Sequence, residues 1–280
     1  MGAPVVLVTG CTDGGIGHFL CKEFVAQGCR VFATARRLEA MDALEGCEKL
    51  MLDVNDSASV NACVKEVTAA AGQIDILVNN AGVPAVGTLL DIDMDVARRC
   101  METNVFGVLA MCRAVGQQMA KRGSGKIINV GSVVGYCATP YTGIYGMSKA
   151  ALHSMTDVLR LELAPFNVQV SVLAPGAVTS NFGKAAVNTV TVPETSLYKS
   201  IAQHIIDRAE MSQAPGASTP TDEFAQYVVQ RVLEPYPPSY ITAGAKSTMF
   251  LAFYYLPTAV KDYLLSKKLG LHDLIPTFGQ

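Results

Sequence analysis

Short apolar runs rich in β-branched residues alternate along this chain with longer stretches whose apolar positions recur every three or four residues. The runs at residues 4–9, 30–35, 49–53, 74–78, 126–130, 168–173 and 239–242 have the length and composition of buried parallel strands. The stretches at 19–25, 38–44, 57–71, 93–122, 145–163 and 223–233 carry helical spacing. Strand and helix in regular alternation predict an α/β fold, a Rossmann-type doubly wound parallel sheet with helices on both faces. Ligands of such sheets lie beyond the carboxyl ends of the strands. After Pro175-Gly176 the pattern loosens. Residues 178–221 are rich in Thr, Ser, Pro, Gly and Ala around one helical stretch at 198–211, which predicts a lid over a substrate site. Residues 243–280 form a C-terminal extension. Its apolar stretch, Met249 to Leu256, is broken by Pro257 and is too short to span a bilayer.

Composition narrows the choice. A chain of 280 residues predicts one domain, 1–280, carrying lid and extension together. Half of the residues are hydrophobic and 16% are charged, which is enough to fill a large core. The formal charge of −2 lacks the basic footprint of a nucleic-acid binder. The eight cysteines include no CxxC pair, which fits reduced thiols in a cytoplasmic setting better than disulfides or a metal site. No charged segment leads into an apolar one at the start, so no secretion signal is expected. The extension mixes Phe250, Phe253, Tyr254 and Tyr255 with Lys261, Lys267 and Lys268. That mixture suits a membrane or lipid-droplet surface, the rim of an apolar pocket, or packing on the sheet.

Candidate chemistry collects at the predicted strand ends. The first strand runs into Thr9-Gly10-Cys11-Thr12-Asp13-Gly14-Gly15-Ile16-Gly17, and a helix follows. Strand, glycine turn and helix form the context of a dinucleotide fingerprint: the backbone approaches a pyrophosphate, and the amides and dipole of the helix start favour that anion. Gly10, Thr12, Asp13, Gly15 and Ile16 are the candidate contacts. The second strand ends in Ala35-Arg36-Arg37, without the carboxylate that would take the ribose of NAD. Arg36 and Arg37 favour the 2′-phosphate of NADP, the alternative being two solvated arginines. Asp53 and Val54 close the third strand. Tyr145 and Lys149 lie one helical turn apart, with Ser132 upstream. A phenol with a pKa of about 10 serves as a proton donor near neutral pH. A lysine on the same helix face stabilises the phenolate that remains. Cys137, Thr139 and Tyr141 fall between Ser132 and Tyr145 and are expected to reach the substrate pocket, packing being an equal alternative for Cys137. Lys184, Lys199 and Arg208 are candidates for a substrate phosphate or for a solvated face. His153 and His204 are more often structural than acidic in such settings.

Taken together these residues resemble the short-chain dehydrogenase/reductase family from Val5 to about Thr242. Asn79-Asn80-Ala81-Gly82 matches the segment that supports the sheet and lines the adenosine side. Asn104 matches the catalytic asparagine, which would anchor a water leading from Lys149 to bulk. Ser132 matches the substrate-orienting serine, Tyr145 the acid and Lys149 the ribose-binding lysine. Pro175-Gly176 begins the nicotinamide segment, with Val178 and Ser180 at contact positions. The turn TGCTDGGIG has one residue more than the commoner TGxxxGxG and looks like the 1-acyldihydroxyacetone-phosphate reductase branch. So do residues 33–41 and the end, 256–271.

The resemblance implies NADPH, a homo-oligomer (dimer or tetramer) and reduction of a lipophilic ketone to a secondary alcohol. 1-Acyldihydroxyacetone phosphate is one candidate. A polyketide, terpenoid, steroid or retinoid ketone is the alternative. A silent dinucleotide-binding protein is the non-enzymatic reading, against which the intact Asn104, Ser132, Tyr145 and Lys149 weigh.

Overall fold

The computed structural model describes residues 2–187, 190–211 and 216–275, apart from the Lys184 side chain. Seven strands form one parallel sheet: β1 (Val5–Thr9), β2 (Arg30–Ala35), β3 (Glu48–Met51), β4 (Ile76–Asn79), β5 (Gly125–Val130), β6 (Val168–Pro175) and β7 (Tyr240–Ala243). Their order is β3-β2-β1-β4-β5-β6-β7. The chain winds outward from β1 in one direction to β3 and then crosses to β4 on its other side, with Val8 between Ala33 and Val78. That reversal opens a crevice at the carboxyl ends of β1 and β4.

Successive residues of a strand face opposite sides of the sheet, and here both sides are apolar. On one side Val6, Val8, Val31 and Ala33 pack with Leu20 and Phe24 of α1 (Ile16–Ala26) and with Phe224, Val228 and Val229 of α8 (Thr221–Leu233). On the other, Leu7, Phe32, Leu77 and Ile127 pack with α2 (Ser57–Ala71), α4 (Gly107–Arg122) and α5 (Gly143–Leu163) through Val64, Val67, Met111, Val115 and Leu152.

Three elements depart from the sequence expectation. Residues 38–44 form only a single tight turn, Leu38–Met41. Within that turn Met41 alone is buried, too small an apolar face to offset the cost of nucleating a longer helix. The stretch 93–122 is α3 (Met94–Met101) and α4 joined by a wider π turn, Glu102–Phe106. The segment 178–221 holds α6 (Asn181–Val187) as well as α7 (Ala202–Glu210). The extension folds as α9 (Ser247–Tyr255) and α10 (Thr258–Lys268), and the last five residues of the chain lie outside the described ones.

The segment 178–221 and the extension share a small core of their own, in which Ile201, Ile205 and Ala209 meet Tyr141 and Leu269. The Tyr141 hydroxyl donates to the Leu269 carbonyl at 2.8 Å. Asn181 ties the start of α6 to the glycine turn by donating from Nδ2 to the Asp13 carbonyl at 2.7 Å.

Candidate active site

The glycine turn is held by β4. Gly10 has φ +72°, and a Cβ there would stand 2.7 Å from the Ala81 Cα, so both its conformation and its neighbour require glycine. Asn80 donates from Nδ2 to the carbonyls of Thr9 and Gly10, both at 2.9 Å. The Thr9 hydroxyl accepts from the amides of Asn80 and Ala81 at 3.0 Å. α1 then starts behind Gly15, which offers no side-chain cap, so the amides of its first turn are left for an anion.

α5 carries the reacting groups. Tyr145 and Lys149 follow each other on its inner face, and both point into the crevice with Ser132 from the end of β5. Burial raises the Tyr145 phenol well above its ordinary value, and an interaction with the Ser132 hydroxyl acts against that shift. Burial pushes Lys149 down to about 8. Its Nζ donates to the Val130 carbonyl at 2.7 Å and lies 5.6 Å from the centre of the Tyr145 ring.

Asn104 sits fully buried in the π turn, a distortion that often marks functional positions. Its Oδ1 accepts from the Val83 amide at 2.8 Å, and its Nδ2 donates to the Val83 carbonyl and to the Ser148 hydroxyl. Ser148 in turn donates to the Tyr145 carbonyl at 2.7 Å. A chain of bonds therefore runs from the β4 exit through Asn104 to the turn of α5 that bears Tyr145.

A cleft of about 530 Å³ joins these parts. Arg36, Asp53 and Val54 line one end. Gly10, Thr12, Gly15, Ile16, Asn80, Ala81 and Gly82 line the middle. Ser132, Tyr145, Lys149, Pro175, Gly176, Val178 and Ser180 line the other end. Over that end stand Phe182, Arg208 and Met211 of the segment 178–221 with Lys246 and Phe250 of the extension. Phe182 packs against Tyr145, with ring centres 5.5 Å apart.

The glycine cradle, the uncapped start of α1 and the Arg36 guanidinium at the tip of β2 lie along one cleft in the order that pyrophosphate and ribose phosphate require. The residues present therefore fit a phosphorylated dinucleotide.

Several expected contacts fall elsewhere. Asp13 does not line the cleft. Its carboxylate accepts from the Ala43 amide at 3.0 Å and meets His18 Nδ1 at 3.1 Å, so it braces the turn from outside. Arg37 is exposed at the start of the turn Leu38–Met41 and does not line the cleft, because the chain turns away after Arg36. Cys137 and Thr139 are buried outside the lining, Thr139 paired with the Thr142 hydroxyl at 2.7 Å. Tyr141 is likewise turned to the small core with Ile205 and Leu269. Lys199 pairs with Glu194, and His204 lies 3.3 Å from Asp273. The Lys184 side chain lies outside the described residues.

Sequence reasoning missed Phe182 and Lys246, which come from segments without periodicity, and Met211, which ends the helical stretch 198–211 with nothing in its spacing to aim it at the cleft. It also missed the part His153 plays. The His153 ring fills the space left by Gly131 and Gly135, and its Nε2 accepts from the Ser132 amide at 3.3 Å. Burial, helped by Lys149, lowers His153 to about 4, so it is a neutral acceptor beneath Ser132 and not an acid.

Such a sheet, with a phosphate cradle and a phenol–lysine–serine group on one cleft, defines a nucleotide-binding oxidoreductase of the doubly wound class. The chain belongs to the short-chain dehydrogenase family, whose model matches residues 4–190. Among curated proteins it is 40% identical over 199 residues to an NADPH-dependent 1-acyldihydroxyacetone phosphate reductase of Schizosaccharomyces pombe, covering 69% of this chain and 67% of that protein. It is 32% identical to short-chain dehydrogenase RED1 of Pyricularia oryzae over 98% of this chain and 97% of that one. A short-chain dehydrogenase structure from Streptomyces avermitilis superposes with a TM-score of 0.80 at 29% identity, covering 97% of this chain and 98% of that one.

Proposed function

We propose that this protein is an NADPH-dependent reductase that converts a lipophilic ketone to a secondary alcohol. One observation carries the reading: Ser132, Tyr145 and Lys149 open onto the cleft that holds the glycine turn and Arg36, with Phe182, Met211 and Phe250 over the reacting end. The bound cofactor supplies the hydride. Ser132 and Tyr145 hydrogen-bond the carbonyl oxygen, and Tyr145 gives it a proton. The burial that raises the Tyr145 phenol keeps it protonated at neutral pH, as a donor must be. The Lys149 charge stabilises the phenolate that forms. Arg36 takes the 2′-phosphate, as the missing carboxylate after Ala35 favours. The phenyl rings and Met211 exclude water and take an apolar chain.

The first ketone to test is 1-acyldihydroxyacetone phosphate, supported by the likeness to the S. pombe reductase. Purified protein is to be assayed for NADPH consumption against acyl, steroid and polyketide ketones. Turnover of at least one, with NADPH preferred to NADH, is the expected result. Tight NADPH binding without turnover across the panel would favour the silent-binding reading.

Two features bear on partners. Met147, Val158 and Leu161 form one exposed apolar stripe on α5, which supports a homo-oligomer. Among the described residues no helix is long and apolar enough to cross a membrane. The exposed Leu251, Tyr254, Tyr255, Tyr263 and Leu264, beside Lys267 and Lys268, support contact of α9 and α10 with a lipid surface, which co-sedimentation with anionic liposomes tests.

A further inference from the structure

The reacting end of the cleft carries two cations besides Lys149. Arg208 stands in the last turn of α7 and Lys246 in the turn between β7 and α9. Both line the cleft with Tyr145 and Lys149. Among the described residues the guanidinium makes one hydrogen bond, from Nη2 to the Thr139 hydroxyl at 3.4 Å. Among the described residues no carboxylate lies within ion-pair distance of either cation. Three acids of the segment 178–221 and the extension are engaged elsewhere, Asp207 with Gln203, Glu194 with Lys199 and Asp273 with His204, and the other two, Glu210 and Asp262, are exposed. Burial opposes the charge on both groups, and Lys246 is lowered further by Lys268 and by Arg208 itself. The two charges thus repel each other in a partly desolvated wall, a cost that an anion between them would remove.

The apolar part of the same wall is Phe182, Met211 and Phe250. Arg36, the cation placed for the cofactor's ribose phosphate, stands at the opposite end of the cleft. We propose that Arg208 and Lys246 form a subsite for the anionic group, phosphate or carboxylate, of an amphiphilic ketone whose chain lies on Phe182, Met211 and Phe250. The inference rests on the reductase reading and names the substrate class of that site. Arg208 also acts on Tyr145, whose phenolate its charge favours, so its removal slows every ketone to some degree. The readout is therefore the ratio between an anionic ketone and its neutral counterpart.

The experiment compares wild type, Arg208→Gln, Arg208→Lys and Lys246→Gln, each shown to be folded by its melting curve. Two matched pairs serve as substrates: 1-acyldihydroxyacetone phosphate with its dephosphorylated form, and a long-chain oxo acid with its methyl ester. Wild type is expected to prefer the anionic member of at least one pair, and the pair that responds separates phosphate from carboxylate. Arg208→Gln should cut that preference by at least ~10-fold, the scale of a charge-assisted bond. Lys246→Gln should move it the same way, and Arg208→Lys should keep part of it.

Binding of dodecyl phosphate and of dodecanol to the NADP-saturated proteins is measured by calorimetry alongside. Weaker dodecyl phosphate binding in Arg208→Gln, with dodecanol unchanged, supports the subsite even if no ketone is turned over, in which case only the reductase reading fails. Equal loss for both members of each pair, or equal dodecyl phosphate binding by wild type and Arg208→Gln, overturns it. So does a loss of NADPH affinity with the preference unchanged, which would assign Arg208 to the cofactor.

Discussion

His153 and Lys149 stand one turn apart on α5, and burial acts on both in the same direction with different consequences. His153 must stay neutral to accept from the Ser132 amide. Its folded pKa of about 4 lies below the ordinary 6.5, so the stability it contributes is present above 6.5 and is lost as pH falls toward 4. The loss should be on the order of 2 kcal/mol by about pH 5. Melting curves of wild type and His153→Gln at pH 7 and about pH 5 check this: wild type should lose more stability between them than the variant. Lys149 behaves differently because its charge is used. Its folded value of about 8 means that the fold opposes the charge, a cost relieved as pH rises from about 8 toward the ordinary 10.5. For reduction by the free enzyme, kcat/KM should hold below about pH 8 and fall above it as the lysine loses its proton. A profile flat through pH 8 to 10 would remove Lys149 from the proton chemistry. The positions of Tyr145 and Lys149 were legible because four residues on a helix are one turn. The brace at His153 was not, since nothing in the sequence says that Gly131 and Gly135 leave room for a ring.

Among the elements, strands and their tips were the most legible. The β2 tip, Ala35-Arg36, faces the cleft as the parallel-strand pattern implied, while Arg37 turns out of it. Arg36→Asp should therefore lower the NADPH-to-NADH ratio of catalytic efficiencies by at least ~10-fold, because a charge-assisted bond becomes a repulsion. An unchanged ratio would take the 2′-phosphate away from Arg36. Helix boundaries were less legible where a helix is irregular. The apolar spacing of 93–122 continues through the π turn, so the pattern marks one helix while the backbone widens at Asn104 to reach Val83 and Ser148. The composition of 178–221 marked it as a segment apart from the strand–helix alternation. Which of its side chains face Tyr145 was not legible, because Phe182 is placed by packing on Tyr145 itself and Met211 by packing on the core shared with the extension, and no repeat in the sequence records that.

For the whole molecule, the order β3-β2-β1-β4-β5-β6-β7 brings residues from distant parts of the chain to one crevice, from Gly10 to Phe250. The apolar stripe of Met147, Val158 and Leu161 lies on the outer side of α5. Light scattering should give a mass of at least a dimer, and Leu161→Lys should shift it toward the monomer. A monomeric wild type would leave the stripe without that role. The central claim is that Tyr145 protonates a ketone in a cleft that holds NADPH. The direct measurement is NADPH consumption by wild type and Tyr145→Phe on the best ketone of the panel, with NADPH affinity determined for both by fluorescence titration. The account predicts that Tyr145→Phe loses at least ~10²-fold in turnover while its NADPH affinity stays close to that of wild type. Near-normal turnover by the folded variant would contradict it.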